Sequence, residues 1–221
     1  MNLYLNADCM NPETGLPSYP DKHFSLAIVD PPYGMKTAQE YGNTRGKPKQ
    51  YPIRRWDEER PKMEYFDQIQ RVSKNQIIWG GNYFADLLPP SRCWVYWRKL
   101  MGGNYADGEL AWTSFDKVLR EFTQCTDQGN RFHPTQKPVA LYRWLLKNYA
   151  KPGDLILDTH VGSASSLIAF EEMGFEYVGF ELDADYYRDS CKRLEAFRSS
   201  PRLFDGQEVF RASGGGQQSL F

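Results

Sequence analysis

Asp30-Pro31-Pro32-Tyr33-Gly34 is a string whose residue types combine into a chemical tool. It directly follows the apolar run LAIV, so a strand would deliver it to the end of a sheet. Two consecutive prolines fix φ and remove two backbone donors, which leaves rigid carbonyls free as acceptors. A carboxylate, a fixed carbonyl and an aromatic ring then converge on one spot. That spot suits a flat base with an exocyclic amino group: Asp30 and the Pro31 carbonyl accept its two hydrogens while Tyr33 stacks on the ring. Such bonds draw the nitrogen toward tetrahedral geometry and free a lone pair for in-line attack on a sulfonium methyl.

A second set stands at the ends of two later apolar runs, LILD and YVGFE: Asp158, Gly162, Ser163, Glu181 and Asp183. In an open parallel sheet, ligands bind beyond the carboxyl ends of the strands. Gly162 lets the backbone approach a ligand while helix N–H groups point at it. Glu181 is placed to accept from both hydroxyls of a ribose, at about the 20-residue spacing seen in dinucleotide folds. The bland alternatives are a plain β-to-α turn and a solvated strand-end carboxylate. A dinucleotide dehydrogenase is the weaker reading, because no G-x-G-x-x-G occurs, only Gly162-Ser163-Ala164. His133 and His160 lack a paired His or Cys at ligand spacing, so no metal is expected.

Elements must carry these residues. Leu3 to Leu5 and Leu26 to Val29 read as strands, followed by Asp8 and Asp30. Glu64 to Val72 suits a helix; QIIWGGNYF and CWVYWRKL read as strands, with a Gly-Gly turn after the first, and ELAWTSF as another. In the second half the order is helix Pro138 to Ala150, turn Lys151 to Asp154, strand LILD, helix SASSLIAFEEMG closed by Gly174, strand YVGFE, and helix Asp185 to Arg198. The βαβ unit in this order implies a parallel sheet, and the fold class is α/β.

The 221 residues are 41% hydrophobic and 15% aromatic, enough for one sizeable domain, expected over 1–198. Residues 199–221 are Ser-, Gly- and Gln-rich and read as a flexible tail. A net charge of −1 argues against non-specific coating of nucleic acid, so any DNA contact must be local. Cys9, Cys93, Cys125 and Cys191 are scattered without a C-x-x-C pair, and no export signal or long apolar run is present. A soluble protein of a reducing cytoplasm is expected.

Taken together, these strings resemble the amino-directed DNA methyltransferases, whose catalytic signature is Asp/Asn/Ser-Pro-Pro-Tyr/Phe. His133-Pro134-Thr135-Gln136-Lys137-Pro138 is similar to the family's segment before its first cofactor-side helix, Asp158 to Ser163 to its methionine-binding loop, and YVGFELDADYY to its ribose-binding strand. Catalytic motif first and cofactor motif last is the circularly permuted order of the β class. The resemblance spans Leu3 to about Phe197; WGGNYF and ELAWTSF resemble phage and prophage members. It implies a Rossmann-like S-adenosylmethionine-dependent methyltransferase fold, with Asp8 and Cys9 along the cofactor's adenine and Thr135, Gln136 and Lys137 near its methionine end. Asp at the first motif position resembles adenine-N6 enzymes, and Ser there would resemble cytosine 4-amino enzymes. This chain departs from the usual Asp-Pro-Phe-x-Gly-Ser-Gly at Thr159, His160 and Ala164. The missing Phe removes an apolar wall beside the methionine, which leaves open a catalytically weak, DNA-binding or regulatory relative. Methylation of RNA or of a protein amide is a further alternative.

Between Lys36 and Arg55, Lys36, Arg45, Lys47, Lys49, Arg54 and Arg55 stand against a single acid, Glu40, within a Gly- and Pro-broken stretch at about 35–60. This stretch is the expected target-recognition insertion. It would neutralise phosphates of double-stranded DNA while the base is flipped, with Tyr41, Tyr51 and Trp56 as stacking candidates. Its small size suits a target of roughly 2–5 base pairs, or help from a second copy in a homodimer. The last residues, Gln217-Gln218-Ser219-Leu220-Phe221, resemble the bacterial sliding-clamp-binding string, with Gln217 hydrogen-bonding and Leu220 and Phe221 filling an apolar pocket.

Overall fold

The computed structural model describes residues 2–35, 59–100, 106–125 and 133–200. Their sheet has eight strands: β1 (Leu3–Asn6), β2 (Phe24–Val29), β3 (Ser73–Trp79), β4 (Trp94–Arg98), β5 (Gly108–Thr113), β6 (Arg120–Thr123), β7 (Leu155–Asp158) and β8 (Glu176–Glu181). Four α-helices accompany them: α1 (Met63–Val72), α2 (Val139–Tyr149), α3 (Ser165–Glu172) and α4 (Ala184–Ser199).

The central strands read as unbroken apolar runs because both faces of the sheet are covered. In β2, Leu26 and Ile28 enter one core while Ala27 and Val29 enter the other. The first core lies under α2, α3 and α4, through Leu141, Leu145, Leu167, Phe170 and Leu194. The second lies under α1, whose Tyr65, Phe66, Ile69 and Val72 recur at helical spacing on one stripe.

Strand order is β1-β8-β7-β2-β3-β5-β4-β6. The first five of these run parallel, as the βαβ reading implied. The far side departs from it: β5 is antiparallel to both β3 and β4, and β6 is parallel to β4. β4 and β5 follow each other closely in the chain, and a short link joins antiparallel neighbours, whereas a parallel pair needs a crossover of about a dozen residues or more. β6 had no sequence signal, because three of its four residues, REFT, are exposed.

The order also fixes where chemistry can happen. β2 leads through α1 to β3 on one side, and β7 leads through α3 to β8 on the other, so the winding reverses between β2 and β7. Ligands of open α/β sheets bind at such a reversal. Asp30 follows β2 directly and Asp158 ends β7. No helix among the described residues is long and apolar enough to cross a membrane.

Candidate active site

A cavity of about 410 Å³ opens at the carboxyl ends of β1, β2, β7 and β8. Ala7, Asp8 and Cys9 enter it after β1; Asp30 and Pro32 after β2; Thr159 to Ser163 after β7; Glu181 to Asp183 from β8; and His133, Thr135, Gln136, Lys137 and Tyr142 from α2 and the segment before it. Of the residues singled out in the sequence, Pro31, Tyr33 and Asp158 are not among its walls. Lys36, Arg45, Lys47, Lys49, Arg54 and Arg55, and the tail residues Gln217, Leu220 and Phe221, lie outside the described residues.

Glu181 ties two of the loops together. Its carboxylate accepts from Gly162 N at 2.8 Å and from Asp183 N at 2.9 Å, and it retains further lone pairs for a ligand. Burial pushes its pKa up, with the backbone N–H groups of Asp183, Gly162 and Leu182 opposing. Gly162 has φ +56°, in the left-handed region that glycine occupies without a Cβ penalty. Asp183 lines the cavity but also caps α4, accepting from Asp185 N and Tyr186 N. Arg193 of α4 donates to Ser163 O at 2.7 Å and to Ser165 Oγ at 2.8 Å, which pins the loop after β7.

Asp158 is buried and is not among the cavity walls. Its carboxylate accepts from His160 N at 3.0 Å and Ser166 Oγ at 2.5 Å, closing the loop onto the first turn of α3. Burial raises its pKa to about 7. Ala164, where a glycine is usual in the resembling family, has φ +60° and is fully buried. His160 takes up the wall left by the missing Phe. Its ring packs edge-on against Tyr65 at 5.6 Å, and its Nδ1 lies 2.9 Å from Thr159 Oγ1. Burial lowers its pKa to about 4, so at neutral pH it presents an uncharged aromatic ring to the cavity. Gln136 Oε1 is buried and has no hydrogen-bond partner among the described residues, an acceptor available to a ligand donor.

The turn after β2 is built around Asp30. Tyr33 OH donates to Asp30 Oδ1 at 2.7 Å, and the Lys137 ammonium donates to Asp30 Oδ2 at 2.5 Å. Lys137 was expected beside the methionine end of a cofactor; it lines the cavity, but its charge is spent on Asp30. Its Nζ also lies 3.1 Å from Glu109 Oε2, and Glu109 pairs in turn with Lys99. Burial raises the Asp30 pKa while Lys137 opposes the rise. For Glu109 burial also acts upward, but Lys137 and Lys99 outweigh it and hold the carboxyl down at about 2. Tyr33 stacks on Tyr83, with centroids 4.9 Å apart and planes 18° apart. Gly80 leaves room for that ring: a Cβ there would lie 2.2 Å from Tyr33 Cε1.

Glu109, Lys99 and Tyr83 were missed by sequence reasoning. Glu109 carried one faint signal, an acid opening the apolar string ELAWTSF.

A family model for N6 and N4 enzymes, described as DNA methylase, matches residues 88–192. The Escherichia coli K12 protein YubD, whose name marks it as a candidate methylase, is 25% identical over 89% of this chain and 91% of its own length. Among solved structures, the M1.HpyAVI complex with SAM matches with a TM-score of 0.58 at 17% identity, covering 87% of this chain and 100% of that one. The PvuII DNA methyltransferase, cytosine-N4-specific by its title, matches with a TM-score of 0.57 at 14% identity, over 94% and 92%.

Proposed function

We propose that the chain is an amino-directed DNA methyltransferase that uses S-adenosylmethionine, with its catalytic turn at Asp30, Pro31, Pro32 and Tyr33 acting on the N6 amino group of a flipped adenine; the family model, the curated relative and the solved structures support this reading. The observation that carries this reading is the Asp30 carboxylate. It opens onto the same 410 Å³ cavity as Glu181 and the unpartnered Gln136 Oε1. Pockets of roughly 300–1,000 Å³ hold ligands of the cofactor's size. The donor set also fits: Glu181 offers acceptors to ribose hydroxyls, Gln136 Oε1 an acceptor to an ammonium, and His160 an uncharged wall. Asp8, Cys9, Thr135, Gly162, Ser163 and Asp183 complete the cofactor's walls in this reading. When bound, S-adenosylmethionine supplies an electrophilic sulfonium methyl.

The chain's own residues prepare the nucleophile. Asp30 has one oxygen taken by Tyr33 and one by Lys137, yet each keeps a lone pair for an amino hydrogen. The Pro31 carbonyl takes the other hydrogen. These acceptors concentrate electron density on the amino nitrogen. The burial that raises the Asp30 pKa also suits it to receive the proton that the methylated nitrogen must shed.

Asp30→Ala is expected to lower tritiated-methyl transfer to unmethylated DNA by about a hundredfold or more, with the fold and cofactor affinity retained. Near-normal transfer would overturn the mechanism. Glu181→Ala should instead weaken cofactor binding by calorimetry and leave DNA binding in place. Wild-type protein that failed to bind millimolar cofactor would favour the catalytically weak relative. Adenine is supported by Asp at the first motif position; mass spectrometry of digested product DNA showing only 4-methylcytosine would reverse that choice. Transfer to RNA or protein rather than DNA would redirect the substrate.

Two further parts of the proposal rest on sequence. The basic residues from Lys36 to Arg55 set DNA affinity, so Arg54→Ala with Arg55→Ala should flatten its salt dependence. The tail residues Gln217, Leu220 and Phe221 bind a bacterial sliding clamp, which fluorescence polarisation of a tail peptide would test against its Leu220→Ala, Phe221→Ala form.

A further inference from the structure

We propose that Glu109, braced by Lys99, is a positioning residue for methyl transfer: it holds the Lys137 ammonium against Asp30 and so fixes the carboxylate that meets the target amino group. This rests on Asp30 being the catalytic carboxylate.

Four charges of alternating sign run inward from the sheet, in the order Lys99, Glu109, Lys137, Asp30. Their side chains are 17, 22, 2 and 16% exposed respectively, so little water screens them. Lys137 lies deepest, with its ammonium 5.2 Å from the Trp79 ring centroid and 5.8 Å from that of Tyr33. An ammonium with one carboxylate on one side is free to shift along the Asp30 oxygens. A second carboxylate opposite removes that freedom.

Glu109 acts by charge rather than by a directed bond. Its Oε2 lies 3.1 Å from Lys137 Nζ without hydrogen-bond geometry, while Lys137 does hydrogen-bond Asp30 Oδ2. The anchor for the pair is rigid. Glu109 lies in β5 opposite Trp97 of β4, and Lys99 follows β4 with its backbone N–H bonded to Asp107 O at 2.9 Å. The ladder between β4 and β5 therefore sets the place of a charge that the loop after β2 uses. None of this machinery touches the cofactor walls except Lys137 and Asp30.

The test is the pH profile of kcat, measured by tritiated-methyl transfer to unmethylated DNA with the full chain. Titratable groups around Asp30 are Tyr33 from its own turn, Lys137, Glu109 from β5, Tyr142 from α2, Tyr65 from α1 and Asp158 from β7. Transfer falls as pH drops and Asp30 takes up a proton. Glu109→Gln removes a neighbouring negative charge and leaves the Lys137 ammonium bonded to Asp30, less well fixed along its oxygens, so this acid limb should move to lower pH. With it, kcat should fall by about tenfold while the cofactor Kd stays within about twofold. Lys99→Met removes a positive charge and should move the limb the other way, and it tests the same chain should Glu109→Gln fold poorly. Glu109→Asp should recover part of the loss. A structural role alone would not produce limb shifts of opposite sign. Unchanged kcat and an unchanged limb in folded Glu109→Gln, or limbs moving together in the two variants, would overturn the proposal. Asp30→Ala run alongside separates the failures: if it remains active the catalytic reading itself falls, and if it is inactive while Glu109→Gln behaves as wild type, only the role of Glu109 falls.

Discussion

The Lys137 ammonium lies 2.5 Å from Asp30 Oδ2, although 107 residues separate the two in the chain. Asp30 belongs to the turn after β2, and Lys137 to the segment that enters α2. Their meeting joins the two halves of the permuted order at one ion pair beside the cavity. It also gives Lys137 an electrostatic task in addition to lining the cavity.

Replacing Lys137 with Met should damage both stability and turnover. Breaking a buried ion pair from one side costs about 3–5 kcal/mol, because the partners are left uncompensated. Asp30 would lose the ammonium that opposes its raised pKa, so the acid limb of kcat should shift to higher pH. Urea unfolding and a pH–rate profile check the two parts. An acid limb that stays in place would show that the lysine does not govern Asp30.

Gly80→Ala is a steric test of Tyr33. A Cβ at Gly80 would stand 2.2 Å from Tyr33 Cε1, at a residue whose φ of +71° already disfavours a side chain. The ring must move, breaking its stack on Tyr83 and its bond to Asp30. Methyl transfer should fall by about tenfold or more while cofactor binding stays within about threefold, because Tyr33 is not among the cavity walls. Equal losses in both measurements would point to a general disturbance instead.

His160→Phe should keep cofactor affinity at neutral pH, because the histidine is already an uncharged ring there. Its folded pKa of about 4 lies below the usual 6.5, so its contribution to stability is present above pH 6.5 and is lost as pH falls through 4. Phenylalanine has no proton to gain, and the melting temperature of the variant should fall less over that window. A calorimetric scan at several pH values, showing equal slopes for both proteins, would contradict the burial of His160.

Asp158→Asn works in the opposite sense. The folded pKa of about 7 lies above the usual 3.8, so the stability linked to this group is present below 3.8 and is lost as pH rises through 7. The asparagine variant lacks that loss. Its melting temperature should gain on wild type between pH 5 and pH 8, and Ser166 can turn its hydroxyl to accept from the new amide. The two windows overlap, so wild type alone would show their difference and the single variants separate them.

Much of the site was legible because its signals are local. Pro31 and Pro32 restrict the backbone wherever they stand, and Gly162 marks a left-handed position by its own missing Cβ. LILD and YVGFE announced strands buried on both faces, and the acids at their ends announced the rim of a sheet. Less visible was the duty of each acid. Asp158 and Glu181 look equivalent in sequence, yet Asp158 closes its own loop and Glu181 bridges two loops at the cavity.

The sequence by itself determined the strands that carry the chemistry, the permuted order of the two halves, and the character of the turn at Asp30, because burial patterns and φ restrictions are properties of neighbouring residues. Only the tertiary structure decided which charges face each other. Glu109 reaches Lys137 because β5 inserts antiparallel between β3 and β4, and Lys137 reaches Asp30 because the winding reverses between β2 and β7. Ion pairing in a poorly screened interior depends on distances of a few ångströms, and those distances are set by strand order, which no local spacing encodes.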